Sequence, residues 1–241
     1  MKTTRRDFLK SVGMGTTALM APNLFLNSCM KKVRPNIIFI MSDDHAERAI
    51  SCYNDSLIQT PNIDRIASEG VRFQNSFVTN SICGPSRATL LTGKYSHLNG
   101  MLDHSCTFDG SQLTFPKLLQ KAGYHTSIVG KWHLKTEPTG FDYWNILKGQ
   151  GQYYNPEFND NGEMKTHIGY ATDIITDQAI ETLDKLDKSN PFCMLIHHKA
   201  PHRNWMPNIK HLDAYTDQEI PLPANFHDEY VGRLAAGEAD M

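Results

Sequence analysis

Short apolar runs alternate with amphipathic stretches along most of the chain. Asn36-Ile37-Ile38-Phe39-Ile40-Met41 is continuously apolar, the pattern of a strand buried on both faces. Val71 to Val78 alternates apolar and polar positions and predicts another strand. Thr126-Ser127-Ile128-Val129 and Phe192-Cys193-Met194-Leu195-Ile196 predict two more. Between them lie helical patterns: Pro61 to a C-cap at Gly70, a helix opening near Cys83, and Thr114 to Ala122 closed by Gly123. A long amphipathic helix spans Thr172 to Lys188, with apolar or small positions at Ile175, Ala179, Thr182, Leu183 and Leu186. Tyr153 to Tyr170 reads as irregular, with a hairpin turn at Asn159-Asp160-Asn161-Gly162. Strands alternating with helices predict an α/β fold, a mostly parallel sheet sandwiched by helices.

The first thirty residues stand apart from this pattern. Thr4-Arg5-Arg6-Asp7-Phe8-Leu9-Lys10 resembles a twin-arginine export signal. The apolar stretch from Val12 to Leu26 is broken by Gly13, Gly15, Pro22 and Asn23, which argues against a permanent span. Leu26-Asn27-Ser28-Cys29 is similar to a lipobox, although Asn27 is unusual there, so lipidation at Cys29 and ordinary signal cleavage both stay open. The expected organisation is an export signal over 1–29 and one catalytic domain over 30–241. The protein is then exported from a bacterial cytoplasm and is periplasmic or lipid-anchored.

The 241 residues are 40% hydrophobic, enough for one domain with a core. A net charge of -2 argues against a nucleic-acid partner and leaves anion recognition to a few placed cations. Five cysteines, at 29, 52, 83, 106 and 193, do not indicate a disulfide framework.

Candidate chemistry gathers after the strands, where ligands of open α/β sheets bind. Cys83 sits at a helix mouth, with Pro85 in the first turn and Arg87 four residues on, on the same face. A helix N-terminus and a guanidinium form an anion site with a nucleophile inside it. Alone, the same residues would suit an ordinary helix with a buried cysteine. The first strand runs into Asp43-Asp44, adjacent carboxylates that a hard cation such as Ca²⁺ or Mg²⁺ would hold, or that would cap a helix. Lys131 and His133, two apart in an extended segment, share a face and suit a tetrahedral oxyanion. His197-His198-Lys199-Ala200-Pro201-His202 follows the last strand.

The run Ser81-Ile82-Cys83-Gly84-Pro85-Ser86-Arg87-Ala88-Thr89-Leu90-Leu91-Thr92-Gly93 resembles the signature of the formylglycine-dependent sulfatases, within the alkaline-phosphatase-like superfamily. Gly123 to His133 is similar to their second signature, ending Gly-Lys-x-His, and Pro201-His202 to their Pro-His. The likeness is to the carbohydrate-sulfatase branch, N-acetylglucosamine-6-sulfatases and iduronate sulfatases. It rests on Ser42-Asp43-Asp44-His45, Thr92-Gly93-Lys94-Tyr95 and Tyr153-Tyr154-Asn155-Pro156. The resemblance implies that a maturation enzyme oxidises Cys83 to formylglycine, the nucleophile. Asp43, Asp44 and the converted Cys83 would ligate one divalent ion, most often calcium. Arg87 and Lys131 would offset sulfuryl charge, His133 would serve as a base, and His202 would assist the departing alcohol of a sulfated glycan.

Asp160-Asn161-Gly162 has the composition of the family's second metal pair but precedes the Pro-His motif, and is read as a hairpin turn. The pair itself and the family's second active-site lysine are not found in the sequence. The resemblance therefore covers 34–241 but only the N-terminal portion of the family's catalytic domain, and the expectation is an incomplete enzyme. Two other readings share these residues: a phosphodiesterase or phosphonate hydrolase of the same superfamily, and a non-catalytic glycan-binding surface lipoprotein.

Overall fold

A six-stranded sheet runs through the protein in the order β1-β6-β2-β3-β4-β5. The computed structural model describes residues 34–238, and residues from Ile37 onward form one structural unit. The expected export signal and the Cys29 lipobox lie outside the described residues. The strands are β1 Ile37–Met41, β2 His125–Lys131, β3 Tyr143–Leu147, β4 Glu157–Asp160, β5 Glu163–Thr166 and β6 Phe192–His197. The helices are α1 Pro61–Glu69, α2 Cys83–Thr92, α3 Ser96–Asn99, α4 Phe115–Lys121, α5 Ala171–Lys185 and α6 Leu234–Glu238. Pairing is parallel from β1 through β6 and β2 to β3, and antiparallel from β3 through β4 to β5.

The two central strands explain the sandwich. Successive side chains point to opposite faces. Ile128, Cys193 and Leu195 enter one core with Ala88 and Leu91 of α2, Trp132 and Leu134, with Phe115 and Leu119 of α4 packed against it. Val129, Met194 and Ile196 enter the other with Ile175 and Ala179 of α5 and with Phe158. Burying each such aliphatic or aromatic side chain contributes roughly 1.5–3 kcal/mol. The expected parallel sheet with helices on both faces is therefore present.

Three expectations change. β1 is not buried on both faces: it is an edge strand, and Ile38 and Ile40 are 50% and 59% exposed. The physical reason is coverage, because α5 packs over β2 and β6 while only Ile37 and Phe39 of β1 reach the opposite core. Val71 to Val78 forms no strand. Its alternation meets no partner ladder among the described residues, Phe77 is 90% exposed, and the Phe73 carbonyl accepts from Tyr53 Oη at 3.0 Å instead. Gly70 does end α1, but at φ -130° rather than in the left-handed cap expected of glycine.

The hairpin expectation holds. Asn161 and Gly162 take φ 45° and 98°, the pair of positive values a tight two-residue turn needs, and β4 and β5 pair on either side. The stretch 153–170, expected to be irregular, thus contains an ordered hairpin. β3 and the short α3 carry no distinct period in the sequence and emerge only through packing. Among the described residues, no helix is long and apolar enough to cross a membrane. Cys52, Cys83, Cys106 and Cys193 are free thiols.

Candidate active site

Register builds the site. Met41 and Gly130 both stand abreast of His197, so the carboxyl ends of β1, β6 and β2 finish in one row. The β1–β6 pairing continues past the strands: His198 N–H donates to Met41 O at 2.8 Å, and Asp43 N–H to Ala200 O at 3.0 Å. Asp43, Lys131 and Lys199 are thereby delivered to one place. Gly130 makes this close approach possible. Its φ is 97°, and a Cβ there would sit 2.0 Å from the His197 carbonyl oxygen.

Helix α2 closes the site from above. Cys83 is its first residue and Pro85 lies in its first turn. Ile82 caps it without a side-chain hydrogen bond, leaving amide donors for an anion. Gly93 ends it in the left-handed conformation, φ 65°, its N–H donating to Thr89 O at 2.8 Å.

Arg87 and Lys131 converge on Asp43. Arg87 Nη2 lies 3.0 Å and Lys131 Nζ 2.5 Å from the same carboxylate oxygen, all three side chains being buried. Arg87 Nη1 donates to the Lys131 carbonyl at 2.5 Å and lies 3.1 Å from His197 Nδ1. Burial pushes the Asp43 carboxyl up, but the hydrogen bond and charge of Lys131 and the charge of Arg87 outweigh it and hold it below 3.8. Burial lowers Arg87 from its ordinary value, opposed by Asp43. Two buried cations facing one buried carboxylate leave positive charge for an incoming anion.

Asp44, left-handed at φ 56°, is exposed beside Asp43, and its carboxylate lies 3.6 Å from His202 Nε2. One donor atom from each of Asp43, Asp44 and His202 falls within 4.8 Å of the others. The two carboxylates fit a hard divalent cation, though calcium takes about six to eight oxygens and these residues supply only part of such a shell.

Lys131 and His133 do not share a strand face as the extended reading assumed. β2 ends at Lys131, and His133 takes φ 58°, which turns its ring toward His104, 4.8 Å between centroids. Lys131 and His133 nevertheless flank the same centre. Burial, then the charges of Lys131 and His104, push the His133 imidazole down to about 4, so it is neutral at pH 7.

Three residues escaped the sequence reading. His104 Nε2 lies 3.4 Å from Cys83 Sγ, reached by a loop that carries no motif. Lys199 is buried, with its ammonium 4.9 Å from the Tyr153 ring centroid; burial, then Lys131, hold it below its ordinary value. Its position in a polar run directly after a buried strand was the available signal. Tyr153 donates to the His202 carbonyl, and burial pushes its hydroxyl up to about 12. Of His197 and His198, read as structural, His197 is buried and His198 half-buried; His197 Nδ1 lies 3.1 Å from Arg87 Nη1, which can only donate to it, and 3.2 Å from the Lys131 carbonyl. Asp160, set aside as a ligand, pairs with Lys165 at 3.0 Å in the hairpin.

Two concavities of about 530 and 450 Å³ adjoin the centre. The smaller is lined by Asp43, Asp44, Cys83 and Arg87. The larger is lined by Gln150, Gln152, Tyr154, Lys199, Arg203 and Asn204, with His202 at its edge.

Fold and site together define an α/β protein with an anion-receiving centre at its strand ends. The sulfatase family model matches residues 35–234, and the chain belongs to the sulfatase family. It is 58% identical over 212 residues to an N-acetylglucosamine-6-O-sulfatase of Bacteroides thetaiotaomicron, covering 86% of this chain and 38% of that relative. The N-acetylglucosamine-6-sulfatase of Homo sapiens is 30% identical over 219 residues, covering 80% of this chain and 39% of its own length. Among solved structures, that of BT4656 in complex with its substrate D-glucosamine-2-N,6-O-disulfate matches with TM-score 0.84 at 58% identity. The match covers 86% of this chain and 43% of that one. A complex of Ps i-CgsB with k-i-k-neocarrahexaose matches with TM-score 0.72 at 26% identity, covering 78% and 49%. The chain thus spans less than half the length of these relatives.

Proposed function

We propose that this chain is the nucleophile-bearing part of a carbohydrate sulfatase that hydrolyses a 6-O-sulfate ester on a glucosamine derivative. The observation that carries this reading is the convergence of Cys83 and Arg87, from one face of α2, with Asp43, Lys131 and Lys199 from three strand ends. The family and the 58% identical relative supply the ester class and the sugar.

Conversion of Cys83 to formylglycine supplies, as its hydrate, a nucleophilic hydroxyl at the helix mouth. Asp43 and Asp44, with the converted Cys83, would hold one divalent ion, calcium by family preference, which supplies Lewis acidity there. The chain's own residues do the rest. Arg87, Lys131 and Lys199 bind the sulfate and offset charge on its oxygens. Neutral His133 accepts a proton beside Cys83, and His202 delivers one to the departing sugar oxygen. Gln150, Gln152, Asn204 and Arg203 line a sugar-sized cavity with donors for hydroxyls and a second sulfate. The nucleophile demands a maturation enzyme as partner. Export through Arg5-Arg6, with Cys29 lipidated or the signal simply removed, accounts for the N-terminus; Cys29→Ala should release protein from membranes, and unchanged membrane association would rule out the anchor.

The test is the matured enzyme, including this chain, given N-acetylglucosamine-6-sulfate, an aryl sulfate and an aryl phosphate. Sulfate release from the sugar, abolished by Cys83→Ala, is expected. Preference for the phosphate ester would move the assignment to a phosphodiesterase, and binding without turnover would make the chain a glycan-binding protein.

A further inference from the structure

We propose that, while Cys83 is still a thiol, the chain holds a second metal site, formed by Cys83, His104 and His133 and suited to a thiophilic divalent ion such as Zn²⁺. Its donor set is distinct from the Asp43–Asp44–His202 group, which borders the same cavity as Cys83, and its geometry stands independently of the sulfatase reading.

Geometry comes first. One donor atom from each of the three side chains lies within 4.8 Å of the other two. Cys83 Sγ and His104 Nε2 are 3.4 Å apart. In tetrahedral zinc, with Zn–S about 2.3 Å and Zn–N about 2.0–2.1 Å, the S···N edge is about 3.5 Å. His133 Nδ1 is a buried atom with no hydrogen-bond partner, against the strong tendency of buried polar atoms to find one.

The three donors are also held in place. Cys83 is fixed at the first position of α2. His133 is set by its left-handed backbone, in the turn that follows β2. The loop carrying His104 is strapped to that turn by Lys135 Nζ, which donates to the carbonyls of His104 and Ser105. Holding ligands on such supports lowers the cost of assembling a site.

Donor chemistry then sorts the metals. One sulfur and two imidazole nitrogens select zinc and its relatives, whereas Asp43 and Asp44 select hard cations. Binding breaks the Cys83 S–H bond, forms S–Zn, and sends the proton to solvent. Arg87 and Lys131 oppose the dication, and Asp43 and Asp44 offset part of that opposition. Three protein ligands leave a fourth position for water. Conversion of Cys83 to an aldehyde removes the sulfur ligand, so the site belongs to the unconverted chain alone.

The experiment uses the full chain made in a host without a maturation enzyme, stripped with chelator and titrated with Co²⁺. One equivalent should bind with a thiolate-to-cobalt charge-transfer band, displaced by Zn²⁺ but not by excess Ca²⁺. Cys83→Ser should abolish the band, which separates this thiol from Cys29, Cys52, Cys106 and Cys193. His104→Ala, at an exposed position, should weaken affinity by at least ~10-fold, and Asp44→Asn should leave the band in place. Cobalt binding without the band would overturn the proposal, as would a band unchanged in strength and affinity in His104→Ala.

Discussion

Asp43 and Asp160 each hold a cation at 3.0 Å, and each begins a stretch that could pass for a metal motif. Their surroundings differ. Asp43 meets Arg87 and Lys131, whose side chains are 4% and 0% exposed and come from α2 and the end of β2. Asp160 meets Lys165, five residues on across a tight turn, in a pair open to water, and Glu163 shares the same lysine. The first arrangement has two cations for one carboxylate, and the second has two carboxylates for one cation. A short motif read without its depth in the fold does not separate a site from a turn, and burial does.

The sharpest way to break this contrast is Asp43→Ala. It leaves two buried cations without their counter-ion, a loss on the order of 3–5 kcal/mol. Asp160→Ala should leave the midpoint nearly unchanged, because an exposed local pair contributes little and Asn161-Gly162 still makes the turn. Urea denaturation of the two variants checks both. Equal midpoints would show that the buried cluster is not holding the strand ends together.

Gly130→Ala should follow, at about 2–3 kcal/mol. The added methyl must adopt a left-handed φ and displace the β6 backbone at His197. The damage should reach the site, because Lys131 is the next residue. The corresponding change at Gly162 meets open space and only the turn strain, so it should cost less.

The contrast also separates what the sequence made legible. The Cys83 helix, the strand ends and the Asn-Gly turn could be read because each is fixed by local chemistry: a proline in a first turn, a buried run, a positive φ. Val71 to Val78 misled because alternation describes a strand's faces but not its partner. β3 was missed because Tyr143–Leu147 is fixed by pairing with β2 rather than by its own period. His104 was missed because its closeness to Cys83 depends on a loop held by Lys135, a contact about thirty residues away in sequence. Lys199 and Tyr153 lie inside stretches the sequence singled out, but no role was given to either, because only burial beside the site distinguishes them from their neighbours.

Acid titration sharpens the comparison more gently. In the metal-free protein the folded His133 imidazole titrates at about 4 against 6.5 when free, because burial and then the Lys131 charge favour its neutral form. Between those values the unfolded chain binds more protons, so stability rises with pH. The His133 contribution is complete above 6.5, declines as pH falls toward 4, and declines no further below it. In chelator, denaturation midpoints of the wild type should fall across that window more steeply than those of His133→Asn. Parallel profiles would mean that the imidazole is as solvated in the fold as outside it.

The smallest expected effect belongs to the hairpin and has the opposite sign. Hydrogen bonds from Lys165 to Asp160 and Glu163 raise the lysine above its ordinary 10.5. A raised folded value means that the contribution is present below 10.5 and is lost as pH rises through the folded value. The ammonium is partly exposed, so salt screens it, and the limb should shrink at high ionic strength. Asp160→Asn removes the stronger partner and should flatten the alkaline limb of the midpoint while leaving the acid limb set by His133 untouched. A variant that altered both limbs would couple the hairpin to the strand-end cluster through β3, which pairs with β4 on one side and β2 on the other.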